Sequence, residues 1–116
     1  NDREPEEIVP ENPMSFAITV VLSIGPAEGN RGEGDWFYLE VFTPQALLRG
    51  DSAFHRWGRG TLIVSTWDWT RINAEIERLV SSVSGDSWSE VARQLCRYFS
   101  WEYDDYREEP IEYKSP

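Results

Sequence analysis

Two segments in the first half of the chain alternate between hydrophobic and polar or smaller residues. In residues 15–24, the even-numbered positions are all hydrophobic. In residues 35–43, the same alternation places Phe37, Leu39 and Val41 on one face. A period of two residues is typical of a β-strand with one buried face. The segment between them holds four glycines, which favour a loop, so the pattern predicts an antiparallel β-hairpin.

The second half of the chain has helical periodicity. Thr43 and Pro44 predict the start of a short helix, and residues 61–66 predict a third strand. A longer helix is expected to begin at Asp68 or Thr70 and to end at Gly85. Its hydrophobic residues fall three or four positions apart, at Ile72, Ile76, Leu79, Val80 and Val83.

A last helix is predicted from a capping box, in which the Ser87 and Glu90 side chains bond free amides of the first turn. Its expected buried residues are Val91, Leu95, Tyr98 and Phe99. The sequence therefore predicts an α+β fold, in which two C-terminal helices pack on one face of an antiparallel sheet of three or more strands.

The domain prediction has three parts. Residues 1–13 contain three prolines among acidic residues and are expected to form an extended acidic arm. Residues 14–106 are expected to form one α+β domain, and residues 107–116 an acidic tail. Met14 is a candidate for the native start, a question that the sequence leaves open.

The net charge of −10 is concentrated at the two ends of the chain. Residues 1–11 hold five acidic residues and one basic residue, and residues 101–116 hold six and two. Phosphate binding needs clustered lysines and arginines, so a nucleic acid is not expected as a direct ligand. A basic protein is a better partner for such a surface, although acidic ends also serve solubility.

The apolar runs and the cysteine content predict the cellular compartment of the protein. No run is long enough to span a membrane, and the best one follows acidic residues rather than the basic ones of a signal peptide. The single cysteine, Cys96, excludes an internal disulfide and suits a reducing compartment, so we expect a cytoplasmic protein.

No catalytic residue, metal ligand or cofactor-binding residue is predicted. Cys96 and His55 are the only residues of their types, too few to favour a zinc site, and Cys96 is expected to be a packing residue. The glycine-rich segment from Gly29 to Gly34 lacks the Gly-Lys-Ser/Thr ending of a phosphate loop and precedes a strand. We therefore expect a protein that is not an enzyme and needs no cofactor.

Two further groups of residues are open to a structural or a binding role. Trp67 and Trp69 flank Asp68 at a strand-to-helix junction, where we expect them to pack helix against sheet. The only basic concentration comprises Arg49, His55, Arg56 and Arg59. It is expected to pair with the acidic segments of the chain, and an acidic patch on a partner is the alternative.

The partner-binding residues are predicted where the last helix should end. Aromatic and acidic side chains alternate there, at Trp101, Glu102, Tyr103, Asp104, Asp105 and Tyr106. Carboxylates are unfavourable at a helix C-terminus, where the last carbonyl groups carry partial negative charge. Their placement therefore predicts a favourable interaction with a positively charged partner.

The order of these landmarks resembles the immunity protein 8 family of bacterial polymorphic toxin systems. The resemblance rests on the aromatic strand at residues 37–42 and its continuation to Leu47, and on the Trp67-Asp68-Trp69 junction. It continues through the Ser87 to Glu90 capping box and residues 98–103, and so covers residues 14–106 but not the arm. It implies a small α+β protein that binds and neutralises a cognate toxin.

The expected function is therefore that of a cytoplasmic immunity protein, a stoichiometric inhibitor of a toxin domain. The charge distribution further predicts a basic, nuclease-like toxin, because an acidic inhibitor can occupy a cleft that binds phosphate. The alternative is a non-enzymatic adaptor or chaperone-like binding module, and a small hydrolase ranks third. The toxin, the oligomeric state and the choice between blocking the active site and binding elsewhere stay open.

Overall fold

The computed structural model describes residues 7–26, 34–49 and 58–103. The hairpin forms as the alternation predicts: β1 (Ala17–Ile24) pairs antiparallel with β2 (Asp35–Phe42) in a continuous register from Ala17 opposite Phe42 to Ile24 opposite Asp35. The even-numbered residues of β1 face the core, and Val20 is 1% exposed.

In the residues that the structure describes, β2 is the centre of a four-stranded sheet. Its second edge pairs with two short strands, β3 (Thr61–Ile63), which runs parallel to it, and β4 (Ser100–Trp101), which runs antiparallel. The sheet is therefore mixed but mostly antiparallel. The predicted α+β fold is confirmed, and β3 is shorter than the predicted residues 61–66.

Three helices have their predicted caps. The four-residue helix α1 (Pro44–Leu47) begins after Thr43, whose hydroxyl accepts hydrogen bonds from two backbone N–H groups, those of Ala46 at 3.4 Å and Phe16 at 3.2 Å. This second bond ties the start of β1 to the end of β2.

Helix α2 (Trp69–Ser82) is capped by Asp68, which resolves the alternative with Thr70. Helix α3 (Trp88–Leu95) is capped by Ser87, whose hydroxyl accepts the Glu90 N–H at 3.2 Å. The Glu90 carboxylate reaches the N–H of Asp86 at 2.9 Å rather than that of Ser87, so the capping box is displaced by one residue.

The core lies between α2, α3 and one face of the sheet, as predicted for two C-terminal helices on one face. Buried residues from both strands of the hairpin meet buried residues from both helices, with Trp67, Trp88 and Trp101 packed at the border. The fully or nearly fully buried members are Phe16, Val20, Phe37, Leu39, Val41, Ile72, Ile76, Ala92, Leu95 and Phe99.

The end of the last helix differs from the prediction. Helix α3 ends at Leu95, whose carbonyl accepts the N–H groups of both Tyr98 and Phe99 at 2.9 Å. This tight turn sends Phe99 into the core against Phe37, with ring centroids 6.2 Å apart, and leaves Tyr98 exposed. The expectation that Tyr98 is part of the buried stripe is wrong for that reason.

Candidate functional site

The predicted contact segment begins on a strand and not at a helix end. After the turn at residues 96–99, Ser100 and Trp101 pair with Tyr38 and Phe37 of β2. The helix-dipole argument therefore does not apply to residues 101–103, because they lie on β4 and the turn after it, beyond the end of α3 at Leu95. Asp104, Asp105 and Tyr106 lie outside the described residues.

Trp101 is held by the fold. Its ring stacks on Phe37 at a centroid distance of 6.3 Å with 12° between the planes, and its Nε1–H donates to Oδ2 of Asp35 at 3.0 Å. The Nε1–H of Trp88, on α3, donates to the same oxygen at 2.9 Å. Asp35 thus joins the last helix, the last strand and the centre of the sheet, and Trp101 is half-buried at that junction.

Glu102 extends the pairing of β4 by one residue. Its N–H donates to the carbonyl of Trp36 at 3.0 Å, and its Oε2 accepts the Trp36 N–H at 2.5 Å. The side chain thereby replaces the backbone carbonyl that a longer strand would supply. Glu102 remains exposed, so its carboxylate is both a structural acceptor and a surface charge.

Tyr103 is 52% exposed. Its ring meets the edge of Trp101 at 5.3 Å and 83°. The pKa of Tyr103 lies above its ordinary value, chiefly because of the negative charge of Glu102, with smaller contributions from lost hydration and from Asp35. The raised pKa means that the phenol stays protonated, and able to donate a hydrogen bond, to a higher pH than an ordinary tyrosine.

The face of the sheet opposite α2 and α3, which we call the helix-free face because neither of these helices packs on it, adds two aromatic residues that the sequence did not single out. Trp36 and Tyr38 point to this face of β2 and are 50% and 38% exposed. Register places Glu102 beside Trp36, and Val21 beside Tyr38. Side-chain alternation in β2 was the available signal, but both of its faces carry aromatic residues, so sequence alone did not show which ring would be exposed.

We call Trp36, Tyr38, Glu102 and Tyr103 the aromatic–acidic surface. Exposed aromatic rings beside carboxylates can supply both contact area and charge to a protein partner. Phe42, which the alternation assigns to the same side as Trp36, is instead 2% exposed. The exposed part of this face therefore lies toward the Trp36 end of β2.

The other candidates have structural roles. Trp67 meets Phe16 edge-on at 5.3 Å and stacks on Trp69 at 6.2 Å, which confirms their packing role. Cys96 is half-buried, and its carbonyl accepts Nη1–H of Arg59 at 3.0 Å.

The basic group is only partly within the described residues. The Nη2–H of Arg49 donates to the carbonyl of Ser15 at 3.4 Å, whereas His55 and Arg56 lie outside. Within residues 7–26, 34–49 and 58–103, no three His, Cys, Asp or Glu side chains are grouped as a metal site would need. No helix of this described part is long and apolar enough to cross a membrane.

A family model described as immunity protein 8 matches residues 1–106. The chain belongs to the immunity protein 8 family. The match ends at Tyr106, as the resemblance does, but it begins at residue 1. It therefore includes the arm, which the motif comparison had left outside the resemblance. No curated protein and no solved structure matches the chain.

Membership of this family makes the chain a polymorphic-toxin immunity protein, whose role is to bind a cognate toxin. Proteins of the family are generally non-catalytic. For an immunity protein the functional site is a binding surface, so exposed side chains on a rigid frame are the features that matter.

Proposed function

We propose that this immunity protein neutralises a basic, nuclease-like toxin in the cytoplasm, as a stoichiometric inhibitor without catalytic activity. Family membership carries the toxin-binding role. The net charge of −10, concentrated at the two ends of the chain, is the observation that favours a basic toxin. Opposite charges accelerate the encounter of two proteins and align them before they dock.

The proposed contact surface combines the sequence-predicted residues with the helix-free face. It comprises Trp101, Glu102, Tyr103, Asp104, Asp105 and Tyr106, joined by Trp36 and Tyr38. In this arrangement two hydrogen bonds fix Glu102 relative to Trp36, and the ring of Tyr103 packs against Trp101. Exposed rings would become buried on docking and slow dissociation, whereas the carboxylates would increase the rate of association.

Trp101 contributes to this surface mainly as support. Its ring stacks on Phe37, and its N–H donates to Asp35. Its role is to hold Tyr103, which meets its edge. Asp104 and Asp105 are therefore the sharper test of binding, because substituting them retains both Trp101 and its acceptor Asp35.

The experiment compares two double variants, each of which removes two acidic charges. Asp104→Ala with Asp105→Ala changes the proposed surface, and Glu75→Ala with Glu77→Ala changes exposed positions of α2. Calorimetry and stopped-flow measurements would use a toxin domain from an adjacent gene, which is where a cognate toxin is to be sought. We expect the first variant to weaken binding by about tenfold, mostly through slower association, and the second to have little effect.

Equal affinities of the two variants, with the same salt dependence, would remove residues 104–106 from the contact surface. Competition tests the nuclease-like part separately. A nucleic acid that fills the toxin's basic cleft should reduce immunity-protein binding if the two share that cleft. Failure of the chain to protect cells that express the toxin domain would instead favour the adaptor alternative.

A further inference from the structure

Within the described part of the chain, β1 is an outer strand of the sheet. The direction of its backbone groups can be assigned from β2. The N–H of Thr43 donates to the carbonyl of Phe16, on the side of β2 that faces β1. The N–H of Glu40 donates to Gly60, on the opposite side, toward β3. Alternation then directs the odd-numbered groups of β2 to β1 and the even-numbered groups to β3 and β4.

The same alternation applies to β1. Its even-numbered residues lie opposite the odd-numbered residues of β2 and bond to them. The odd-numbered residues direct their N–H and C=O groups away from the sheet, and no strand of the described part pairs with them. These four residues are all exposed: Ala17, Thr19, Val21 and Ser23.

Strand β1 itself lacks the sequence features that usually prevent pairing with another chain. Natural edge strands are protected by charged residues, prolines, bulges or short length. Strand β1 has eight residues, none charged and none proline, and its register with β2 continues without a bulge. Its exposed side chains are small or β-branched, which suits a neighbouring strand.

We propose that the outer edge of β1 accepts a β-strand of the toxin, which thereby becomes a fifth strand of the sheet. The proposal rests on the toxin-binding role proposed above. Main-chain hydrogen bonds to the four odd-numbered residues would supply affinity, as in other strand additions. Side chains of the added strand on the helix-free side would lie beside Val21, next to Tyr38.

Charge favours a toxin strand over a second copy of this chain. Each copy carries −10, so two copies paired edge to edge would bring two strongly acidic bodies together. The acidic body of the protein would attract a basic partner. The uncharged edge of β1 would place no charge of its own among the new hydrogen bonds. A homodimer through β1 is the competing outcome of the test.

Amide hydrogen exchange followed by NMR tests the edge directly. In the free protein at low concentration, the N–H groups of Ala17, Thr19, Val21 and Ser23 should exchange fast, and those of Ile18, Val20 and Leu22 slowly. The neighbouring-gene toxin domain should slow exchange at the odd-numbered positions by at least about tenfold. Protection of these positions in the free chain, or no change with bound toxin, would overturn the proposal.

Two substitutions of Val21 distinguish the contribution of its backbone N–H to binding from that of its side chain. Val21→Pro removes an N–H that points away from β2, whereas Val21→Thr keeps that N–H and the branched shape. We expect the proline variant to bind the toxin domain about tenfold or more weakly, and the threonine variant within about twofold of the original. Equal binding by the two variants would contradict strand addition. If the proline variant does not fold, the exchange experiment decides alone.

These results distinguish the two proposals. If the original chain does not bind the toxin domain, the proposed function fails. If it binds and the odd-numbered amides stay unprotected, only the strand addition fails. Concentration-dependent protection without toxin would assign the edge to a homodimer and also reject the toxin strand.

Discussion

At the scale of single residues, Asp35 links three elements through one oxygen. The indole N–H groups of Trp88 and Trp101 reach that oxygen from α3 and β4, at 2.9 and 3.0 Å. Both rings also pack around Phe37. Polar bonds at the border of an aromatic cluster orient the rings, because a partly buried donor without an acceptor is costly.

Asp35→Ala should therefore lower the free energy of unfolding by about 2 kcal/mol, because two indole donors lose their acceptor. Urea unfolding of the single variants Asp35→Ala and Trp101→Phe, and of the double variant, measures the coupling. The double variant should be less destabilised than the sum of the single variants. Additive effects would show that the Trp101 bond contributes nothing to stability.

Tyr103 carries a pH prediction. The charge of Glu102 raises the pKa of Tyr103, so Glu102→Gln should lower it. As the pH rises above the ordinary tyrosine pKa, Tyr103 loses its proton first in the unfolded chain. The contribution of Tyr103 to the free energy of unfolding therefore falls as the pH rises through the pKa of the folded state. Ultraviolet titration of phenolate formation, with Tyr103→Phe as the reference, measures the shift. An unchanged titration in Glu102→Gln would contradict the assigned cause.

At the scale of elements, local sequence signals predicted most of the fold. Alternation gave the hairpin, and the caps at Thr43, Asp68 and Ser87 gave the helix starts. Strand β4 was missed because it has only two residues, and its pairing depends on β2, more than sixty positions earlier. A strand that short has no periodicity of its own.

The predicted binding site also depends on pairing between residues far apart in the sequence. The alternation of aromatic and acidic residues predicts that residues 101–103 contact a partner. The structure places this segment beside Trp36 through a pairing that no local pattern encodes. The exposure of Trp36 and Tyr38 also required the three-dimensional fold, because helices cover only one face of a strand that is aromatic on both. The residue types were visible in the sequence, whereas their grouping was not.

The meeting of β3 and β4 depends on a glycine. Gly60 has a φ of 77°, and a Cβ there would lie 2.5 Å from Oγ of Ser100. Gly60→Ala should destabilise the fold by about 2 kcal/mol, from the left-handed backbone and the displaced serine. Gly58→Ala is the matched control, since a Cβ there meets nothing within 4 Å. Thermal unfolding of both variants measures the difference, and equal melting temperatures would reject the close contact.

At the scale of the whole molecule, one core joins the hairpin to both long helices, while the net charge is −10. The charge has opposite effects on folding and on the proposed binding. Like charges repel within the compact protein, whereas the same charges attract a basic toxin. Screening by salt weakens both interactions.

Sodium chloride should therefore raise the free energy of unfolding of the free protein and slow its association with the toxin domain. Urea unfolding and stopped-flow association, each at low and moderate salt, measure the two effects. Removing the charges of Asp104 and Asp105 should reduce both salt dependences. Association that becomes faster with added salt would contradict an electrostatically steered complex.

The alternation of β1 and β2 also bears on how such a protein can diversify. Every second residue faces the core and is constrained by packing, while its neighbours along the strand face solvent or the outer edge. On the two proposed contact surfaces, substitutions at Thr19, Val21 or Tyr38 would therefore change side chains that face a partner, while the residues between them preserve the frame. When the surface of a toxin changes, such an immunity protein can adapt by substitution of one exposed residue at a time, while its core stays the same.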